Sequence, residues 1–480
     1  MIPINMIDAS WLAIDSEDTP MHVGTLEIFS LPKNCSDTFL RDEVERMKAE
    51  EVVSPWNLKL TKPGLLGRLL SPSWSVDKTI DINYHVRHSA LPKPGGEREL
   101  GILISRLHSN HMDIHRPLWE CHFIEGLENN RFAIYLKIHH SLMDGVNGIR
   151  LLKKSLSDSP DQLHMLGPWS IGPKAKPTDN ARKYGSKLTG VIRHAFDAVT
   201  EQVSNTPQLT KALGKLIASS VSKHDELTAP FNCPNSILNT RVTHARRFAT
   251  QQYSLKRLKK LASATDSSLN DIVLYLCSSA LRKFLLERDS LPDQALTAGI
   301  PVDVRLSGDD SLGTEVSFIL ASLASDEEDS LKRLAIIKKS TKTAKQHLQT
   351  LPRKVVIQYT MLMMSPYILQ LLTGLAGKIN PAFNVTISNI PGPDHALYYC
   401  GCKLEAIYPL SMIVNGGALN ITCLSYNGSL NFGYIACRET LPSMQKLAVF
   451  SGEALEELES AIKTRNSIKK SATKKMGKNI

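Results

Sequence analysis

The sequence predicts an α/β protein made of two sandwich domains, each with a mixed β-sheet. Its 480 residues exceed what a single core usually contains. Strand and helix patterns are interspersed, without the regular βαβ alternation of a parallel fold. A loosely patterned, proline-rich stretch separates two well-patterned parts. We therefore expect an N-terminal domain over residues 1–160, a crossover linker with helices over 161–240 and a C-terminal domain over 241–462.

The N-terminal part begins with a predicted strand, MHVGTLEIFSLP, and an amphipathic helix, TFLRDEVERMKAEE. A second helix follows in ERELGILISRLHSNHM. The next segment, LWECHFIEGLENNRFAIYLKIHH, is typical of two strands joined in a hairpin at Glu128-Asn129-Asn130. This part therefore supplies at least three strands and two helices of the first domain.

In the C-terminal part, SLNDIVLYLCSSALRKFLLER predicts a long helix and LTAGIPVDVR a strand. The segment NITCLSYNGSLNFGYIAC predicts a hairpin with a type I′ turn at Asn427-Gly428. Residues 355–377 run 23 residues without a charge, which is long enough to span a bilayer. Because Pro366 would break one helix, we expect two shorter apolar helices that are buried or touch a membrane surface.

The charge distribution argues against nucleic-acid binding. Residues 463–480 hold seven Lys or Arg residues and no acid, so only +3 of the net charge of +10 belongs to the rest of the chain. We expect a flexible basic tail that either contacts an anionic membrane surface or keeps the protein soluble. The eight cysteines show no paired framework, and the N-terminus lacks a signal-peptide pattern. Together these features favour a cytoplasmic protein with reduced thiols.

The most informative stretch is KIHHSLMDGVNG, residues 137–148. Successive side chains on a strand point to opposite faces, so His140 continues the apolar face of Ile138 whereas His139 lies with Lys137. Adjacent histidines that diverge do not easily bind one metal ion, and no metal site is expected. His140 is then either a core histidine or a general base at the end of a strand. Ser141 is not a favoured nucleophile, because no G-x-S-x-G turn is present.

The stretch HHSLMDG resembles the HHxxxDG motif of the CoA-dependent acyltransferase superfamily. That superfamily includes chloramphenicol acetyltransferases, carnitine acyltransferases and peptide-synthetase condensation domains. Four further segments narrow the resemblance to the bacterial wax ester synthase/diacylglycerol acyltransferase family: PMHVG (20–24), PLWE (117–120), Asn270-Asp271 and NVTISNIPGP (384–393). The resemblance covers nearly the whole chain and implies two chloramphenicol-acetyltransferase-like domains.

The resemblance implies an O-acyltransferase that moves a fatty acyl group from acyl-CoA to a long-chain alcohol or diacylglycerol. His140 would be the general base and His139 would support it. Asp144 would hold the loop in place, and Gly145 would keep the entrance to the site open. Acyl-CoA would be a substrate, with no permanently bound cofactor and no metal. The enzyme would contact the inner membrane or lipid inclusions peripherally.

The remaining motif residues have more ordinary interpretations as well. Asn270 and Asp271 open a predicted helix, where Asn and Asp are ordinary N-cap and first-turn residues. The resemblance implies that they lie close to the active site. Pro117 and Trp119 are predicted packing residues. Thr386 and Ser388 share one face of a strand and are candidate oxyanion donors, together with Asn270. The contacts to CoA are not predicted.

Two other functions stay open at this stage. One is a condensation-type acyltransferase that uses a carrier-bound donor and an amine acceptor. The other is a catalytically idle lipid-binding protein with the same fold. The intact HHxxxDG motif disfavours the idle protein, and the four accessory motifs disfavour the condensation enzyme.

Overall fold

The computed structural model describes residues 1–4, 6–32, 35–64, 67–68, 72–143, 145–172, 227–303 and 316–476. Asp144 and residues 173–226, which form most of the predicted crossover linker, lie outside the described residues. The predictions made for Asp144 and for helices in the linker therefore stay predictions.

The described elements follow the expected mixture of strands and helices. In the N-terminal part they are β1 (Ile2–Pro3), α1 (Met6–Ile14), β2 (His22–Ser30), α2 (Phe39–Lys48), β3 (Leu58–Leu60), β4 (Ser73–Val76), α3 (Ile82–His85), β5 (Val86–Ala90), α4 (Glu97–Ser109), β6 (Trp119–Leu127), β7 (Arg131–His139) and α5 (Gly145–Lys154).

After two 3₁₀ turns (Pro168–Ser170 and Ile237–Asn239), the C-terminal part continues the series. Its elements are β8 (Arg246–Ser254), α6 (Leu255–Ala264), α7 (Leu269–Leu286), β9 (Thr297–Asp303), β10 (Val316–Ser322), α8 (Ser330–Gln349), α9 (Arg353–Leu372), β11 (Val385–Ile390), β12 (Tyr398–Tyr399), β13 (Cys402–Leu410), β14 (Leu419–Tyr426), β15 (Ser429–Cys437) and α10 (Lys446–Met476).

Two six-stranded mixed sheets form the centre of the molecule. The first has the order β12-β13-β2-β7-β6-β5, and the second has the order β10-β9-β11-β14-β15-β8. Strand β5 runs parallel to β6, and β11 runs parallel to both β9 and β14. A small third sheet pairs β1, β4 and β3. The predicted α/β class with mixed sheets is confirmed.

Both predicted hairpin turns are present. In the first, Asn129 and Asn130 adopt φ values of 63° and 54°. In the second, Asn427 and Gly428 adopt φ values of 41° and 79°. Asparagine and glycine tolerate this left-handed region better than other residues, and that tolerance is the reason these turns could be predicted.

The C-terminal part also completes the N-terminal sheet. Strand β13 pairs antiparallel with β2, so residues 398–410 belong to the first sheet. An added side chain on Gly433 of β15 would overlap the carbonyl oxygen of Pro409 on β13, so a glycine is needed where the two sheets touch. The prediction that residues 241–462 form one domain of their own needs correction for residues 398–410, because an alternating pattern identifies a strand's faces but not its partner.

Helix α4 fastens the two parts together along the edge of the second sheet. The hydroxyl of Ser105 accepts a hydrogen bond from the backbone N–H of Phe248 at 2.9 Å, and that of Ser109 accepts one from Arg246 at 2.8 Å. These contacts cover the free edge of β8, which would otherwise expose unpaired backbone groups. One hydrophobic cluster extends from the first sheet to helix α7.

The uncharged segment lies in one continuous helix as far as Leu372, and the prediction of two helices broken near Pro366 is wrong. Proline lacks the N–H that would bond to the carbonyl four residues earlier, at Leu362. The hydroxyl of Ser365 donates to that carbonyl oxygen instead, at 2.8 Å. The helix therefore passes through Pro366 without leaving Leu362 unsatisfied. Among the described helices, none is both long and apolar enough to cross a bilayer.

The closing helix α10 is longer than expected. It continues through the basic segment to Met476, so the prediction of a flexible tail from residue 463 is wrong for residues 463–476. Gly477 is the first glycine after Gly452, and the intervening stretch holds no proline. Lys, Ala, Glu and Arg are good helix formers, and nothing in this run interrupts the helix.

Candidate active site

The histidine pair lies where the central strand β7 ends. His139 is the last residue of the strand and pairs with His22 of β2. Its backbone N–H donates to Leu118 O at 2.9 Å, and the N–H of His140 donates to Met21 O at 2.8 Å. Leu118 belongs to PLWE and Met21 to PMHVG. These two motifs therefore hold the backbone of the histidine pair from both sides.

His139 is buried, and its imidazole has a defined orientation. The backbone N–H of Ser141 donates to His139 Nδ1 at 3.1 Å, and the Ser141 hydroxyl oxygen lies 2.6 Å from the same atom. Because Nδ1 accepts a hydrogen bond, the neutral ring carries its proton on Nε2. That nitrogen lies 3.7 Å from Asp15 Oδ1. The ring is thus held between Ser141 and an acid.

Asp15, directly after α1, is a residue that sequence reasoning missed. Its Oδ1 accepts from the backbone N–H of Met21 at 2.9 Å, and its Oδ2 lies 2.7 Å from His111 Nε2. Burial raises the pKa of Asp15, but the hydrogen bonds and charges of His111 and His139 outweigh it and hold this pKa below its usual value. Asp15 is therefore a fixed negative charge beside His139.

His140 occupies a different environment from its neighbour. It is the first residue beyond the strand, it is half-buried, and its ring packs against Trp11 of α1 with a centroid distance of 4.7 Å. Helix α5 begins nearby at Gly145, where an added Cβ would meet no described atom within 4 Å. A half-exposed imidazole beside open space has the access that a general base requires.

Below the histidines, Glu120 of PLWE forms a buried ion pair with Lys137. Lys137 Nζ lies 3.0 Å from Glu120 Oε2 and also donates to the carbonyl oxygens of Leu107 and Asn110 on and beside α4. Burial raises the pKa of Glu120, but the hydrogen bond with His122 and the charge of Lys137 lower it to about 2. Burial lowers the pKa of Lys137. The pair ties α4 to strands β6 and β7.

Pro117 and Trp119 lie in the core of the first sheet. Trp119 is fully buried, and its indole N–H donates to Trp56 O at 2.7 Å. Its ring stacks on that of Trp169 with a centroid distance of 5.6 Å. The backbone N–H of Trp119 donates to Pro117 O at 3.0 Å. Both residues therefore pack in the interior, where β6, the strand next to β7, begins.

Asn270 and Asp271 lie in the first turn of α7, which Ser268 caps. Asp271 Oδ2 accepts from the backbone N–H of Ser268 at 2.8 Å. Its Oδ1 accepts from the hydroxyl of Thr341 on α8 at 2.7 Å. Asp271 thus closes a capping box and joins two helices. Asn270 is half-buried in the same turn.

Thr386 and Ser388 lie on β11, between β9 and β14. They are half-buried and alternate with the buried Val385 and Ile387, so they share one face as expected. The strand is anchored by Asn384, whose side chain is fully buried. Asn384 Nδ2 donates to Asn239 Oδ1 at 2.7 Å, and its Oδ1 accepts from the Thr297 N–H at 2.8 Å.

The five motifs thus fall into two groups. PMHVG, PLWE and the histidine pair meet at one end of the first sheet. Asn270, Thr386 and Ser388 belong to the second sheet and its helices. Over the parts of the chain that the structure describes, no group of three or more His, Cys, Asp or Glu side chains could hold a metal ion.

Solved structures of other proteins share this fold. A wax ester synthase/diacylglycerol acyltransferase from Marinobacter aquaeolei VT8 superposes with a TM-score of 0.78 at 35% identity, covering 96% of this chain and 100% of that one. A starter condensation domain of rhizomide synthetase superposes with a TM-score of 0.55 at 12% identity, covering 96% and 94%. The chain therefore has the paired chloramphenicol-acetyltransferase-like fold that such enzymes share.

Sequence comparison defines the family. The model of the wax ester synthase/diacylglycerol acyltransferase catalytic domain matches residues 4–273, and that of the C-terminal domain matches residues 312–459. The O-acyltransferase WSD of Acinetobacter baylyi is 38% identical over 471 residues, 98% of this chain and 99% of that protein. A Mycobacterium tuberculosis protein named as a diacylglycerol O-acyltransferase is 42% identical over 479 residues, 95% and 96% of the two chains. The chain belongs to the wax ester synthase/diacylglycerol acyltransferase family and is an acyltransferase.

Proposed function

We propose that this protein transfers a fatty acyl group from acyl-CoA to the hydroxyl of a long-chain alcohol, of diacylglycerol or of both, with His140 as general base. The observation that carries the proposal is the half-buried His140 ring at the open end of β7, with its backbone fixed by Met21. The activities named for the relatives support the acceptor class.

In the proposed reaction, the acceptor hydroxyl gives its proton to the His140 imidazole while its oxygen attacks the thioester carbonyl. A neutral imidazole, with an unperturbed pKa near ~6.5, suits this task at neutral pH. The tetrahedral intermediate then collapses, the carbon–sulfur bond breaks, and His140 returns the proton to the departing CoA thiolate. A thiol with an ordinary pKa of about 8.5 is a good leaving group. No covalent enzyme intermediate is needed.

The oxyanion of that intermediate needs hydrogen-bond donors. Thr386 and Ser388 are the candidates on β11, since both hydroxyls lie on the same half-buried face. Asn270 is a third candidate from the first turn of α7. A preorganised donor of this kind contributes about 3 kcal/mol to the transition state.

The other residues of the pair and its loop have supporting roles in this scheme. His139, fixed between the Ser141 N–H and the negatively charged Asp15, holds the strand end from which His140 follows. Asp144 would hold the loop that leads to α5. Gly145 would keep the entrance to the site open, since an added Cβ there meets no described atom within 4 Å.

The substrates also suggest where the protein works. Long-chain alcohols, diacylglycerol and their esters partition into lipid. A peripheral position at the cytoplasmic surface of the inner membrane or of lipid inclusions would give access to them. No resident cofactor and no metal enter the proposed chemistry, and acyl-CoA is a substrate.

The test is the release of free CoA from a long-chain acyl-CoA, measured with a panel of acceptors. We expect turnover with long-chain alcohols and with dispersed diacylglycerol, and ester products that match each acceptor. An amine of equal chain length is the matched control and should react poorly. Turnover only with an amine and a carrier-bound donor would identify a condensation enzyme, and lipid binding without CoA release would identify an idle protein.

A further inference from the structure

The C-terminal part contains a long stretch without acidic residues. Residues 330–393 hold nine Lys or Arg residues and no Asp or Glu, so this stretch carries a charge of +9, whereas the other residues before 463 sum to −6. It begins with α8, on which Lys332, Lys339 and Lys342 are exposed. Arg333, on the same helix, is not part of this exposed surface, because it is buried and donates to Ser279. A positive surface therefore runs along the outer side of α8.

The next helix carries exposed apolar residues. One side of α9 is buried through Tyr359 and Met363. Its last turns and the following loop expose large apolar side chains to solvent, each 41–46% exposed: Ile368, Leu369, Leu375 and Ile379. Contiguous apolar residues on the surface of a protein mark a site of interaction.

The basic helix and the apolar helix are neighbours. Both pack on the edge strand β10 of the second sheet. The His347 ring of α8 meets the Tyr359 ring of α9 at a centroid distance of 5.4 Å, and Ser317 of β10 is 2.7 Å from the Thr360 hydroxyl. The helix with the exposed lysines and the helix with the exposed apolar side chains thus lie in one layer on β10, which we name the α8–α9 face (residues 330–379).

The α8–α9 face is also connected to the histidine pair. Helix α9 contacts α1, and Trp11 of α1 packs against the His140 ring. An apolar molecule that leaves a lipid phase at α9 would therefore meet α1 and then His140. This continuity relates the surface to the acceptor, which is the apolar substrate of the proposed reaction.

We infer that the α8–α9 face docks on an anionic lipid bilayer. The apolar residues of α9 and of the loop after it would lie at the boundary between the headgroups and the acyl chains. The inference rests on the proposed function for its lipid acceptor. A bilayer fits better than a protein partner because the charged residues of α8 itself are all basic and are spread along the helix, and of these Lys338 is paired with Asp266, which follows α6, at 2.6 Å. A basic residue near an anionic surface contributes about 1 kcal/mol, and lysine stems can lie along apolar surface while their ammonium groups reach the phosphates.

The test uses flotation of the full-length protein with vesicles of phosphatidylcholine, with and without phosphatidylglycerol. We expect wild type to bind the anionic vesicles. The double variant Leu369→Glu/Leu375→Glu should bind roughly tenfold more weakly, because its apolar anchors become charged. The matched control is Ile102→Glu, an equally exposed apolar position on α4. It should bind like wild type.

A charge series separates this face from the basic segment at the C-terminus. Lys332→Gln/Lys342→Gln should weaken binding at low salt, whereas Lys256→Gln/Lys259→Gln on α6 and truncation after Ile462 should have smaller effects. Equal binding by wild type and Leu369→Glu/Leu375→Glu would overturn the inference. So would a dimer that this variant dissociates, since the occupant would then be a second copy of the chain.

Activity distinguishes the failure of this inference from failure of the proposed function. On a short soluble alcohol, all variants should release CoA at the wild-type rate, because none touches the histidine pair. On diacylglycerol embedded in anionic vesicles, only the α8–α9 variants should be slow. Absence of CoA release by wild type with every acceptor would count against the proposed function and would leave the docking result to stand by itself.

Discussion

The two sheets contain the same four-strand unit, and only one copy carries histidines. In the first sheet the order is β2-β7-β6-β5, and in the second it is β8-β15-β14-β11. In both units the last strand in this order, β5 or β11, runs parallel to the strand before it. The other neighbouring strands pair antiparallel. The central strands β7 and β15 are each nine residues long. The two halves are therefore structural repeats, although no sequence repeat is visible.

The correspondence extends to single hydrogen bonds at the strand ends. His139 N–H donates to the residue just before β6 at 2.9 Å, and Cys437 N–H donates to Ala418, just before β14, at 3.0 Å. The next residue repeats the pattern, because His140 bonds to Met21 at 2.8 Å and Arg438 bonds to Ala245 at 2.9 Å. The backbone alone therefore does not make a site. The side chains at the end of β7 distinguish the half to which we assign the reaction.

The largest effect is expected from the buried ion pair, which has no counterpart in the second half. The positions of Glu120 and Lys137 are occupied there by Asn420 and Ile435. Lys137→Ile should lower the free energy of unfolding by about 3–5 kcal/mol, because the buried Glu120 carboxylate loses the ammonium group 3.0 Å away and keeps only His122 at 3.2 Å and Arg87 at 3.7 Å. Denaturant titration at pH 7 measures this loss.

The control for that variant copies the second half. In the double variant Glu120→Asn/Lys137→Ile no charge is stranded, and we expect most of the lost stability to return. Since the pKa of Glu120 is lowered to about 2, its contribution is present above the unfolded pKa near 4.5 and is lost as pH falls toward 2. A double variant as unstable as Lys137→Ile would show that packing, and not charge, sets the effect.

A smaller effect is expected at Glu27 of β2, whose equivalent on β8 is Gln251. Burial raises the pKa of Glu27 from 4.5 to about 8, against a weaker opposing hydrogen bond from Thr25. A raised pKa means that this group's contribution to stability is present below pH 4.5 and is lost as pH rises through 8. Glu27→Gln should therefore gain a few kcal/mol of stability relative to wild type as the pH rises from 5 to 9, because glutamine has no carboxyl group that must stay protonated in the interior.

Thermal unfolding across that pH range measures the difference at Glu27. Glu125→Gln, at a partly exposed position on β6, is the matched control and should follow wild type. A difference in stability between Glu27→Gln and wild type that stays constant from pH 5 to pH 9 would contradict the raised pKa of Glu27.

The smallest effect is expected at Asp15, which places a negative charge at the end of β7. Asp15→Asn should lower kcat by roughly tenfold, because His139 loses its fixed anionic neighbour. It should also move the apparent pKa of the base in the kcat/KM profile downward, since a nearby negative charge stabilises imidazolium. The exposed neighbour Asp18 supplies the control Asp18→Asn, which should change neither. A lower kcat in Asp15→Asn with an unchanged apparent pKa in the kcat/KM profile would show that Asp15 has only a structural role.

Local signals predicted a large part of this structure. Turn residues with positive φ marked both hairpins, alternation assigned the faces of β7 and β11, and the histidine pair was located at a strand end. The contacts that the sequence could not predict join distant positions. Asp15 meets His111 across 96 positions, and β13 crosses to β2. In α9, the Ser365 hydroxyl bonds to the Leu362 carbonyl that Pro366 leaves without an N–H donor, and no periodicity indicates such a contact.

The central claim is that the histidine end of β7, and not the equivalent end of β15, performs the reaction. It is tested most directly by comparing His140→Ala with Arg438→Ala in one CoA-release assay on a short soluble alcohol, after circular dichroism has shown both to be folded. We expect His140→Ala to lose about 10²–10⁴-fold in turnover, the usual range for a missing general base. Arg438→Ala should stay close to wild type. Near-normal turnover by His140→Ala would contradict the account.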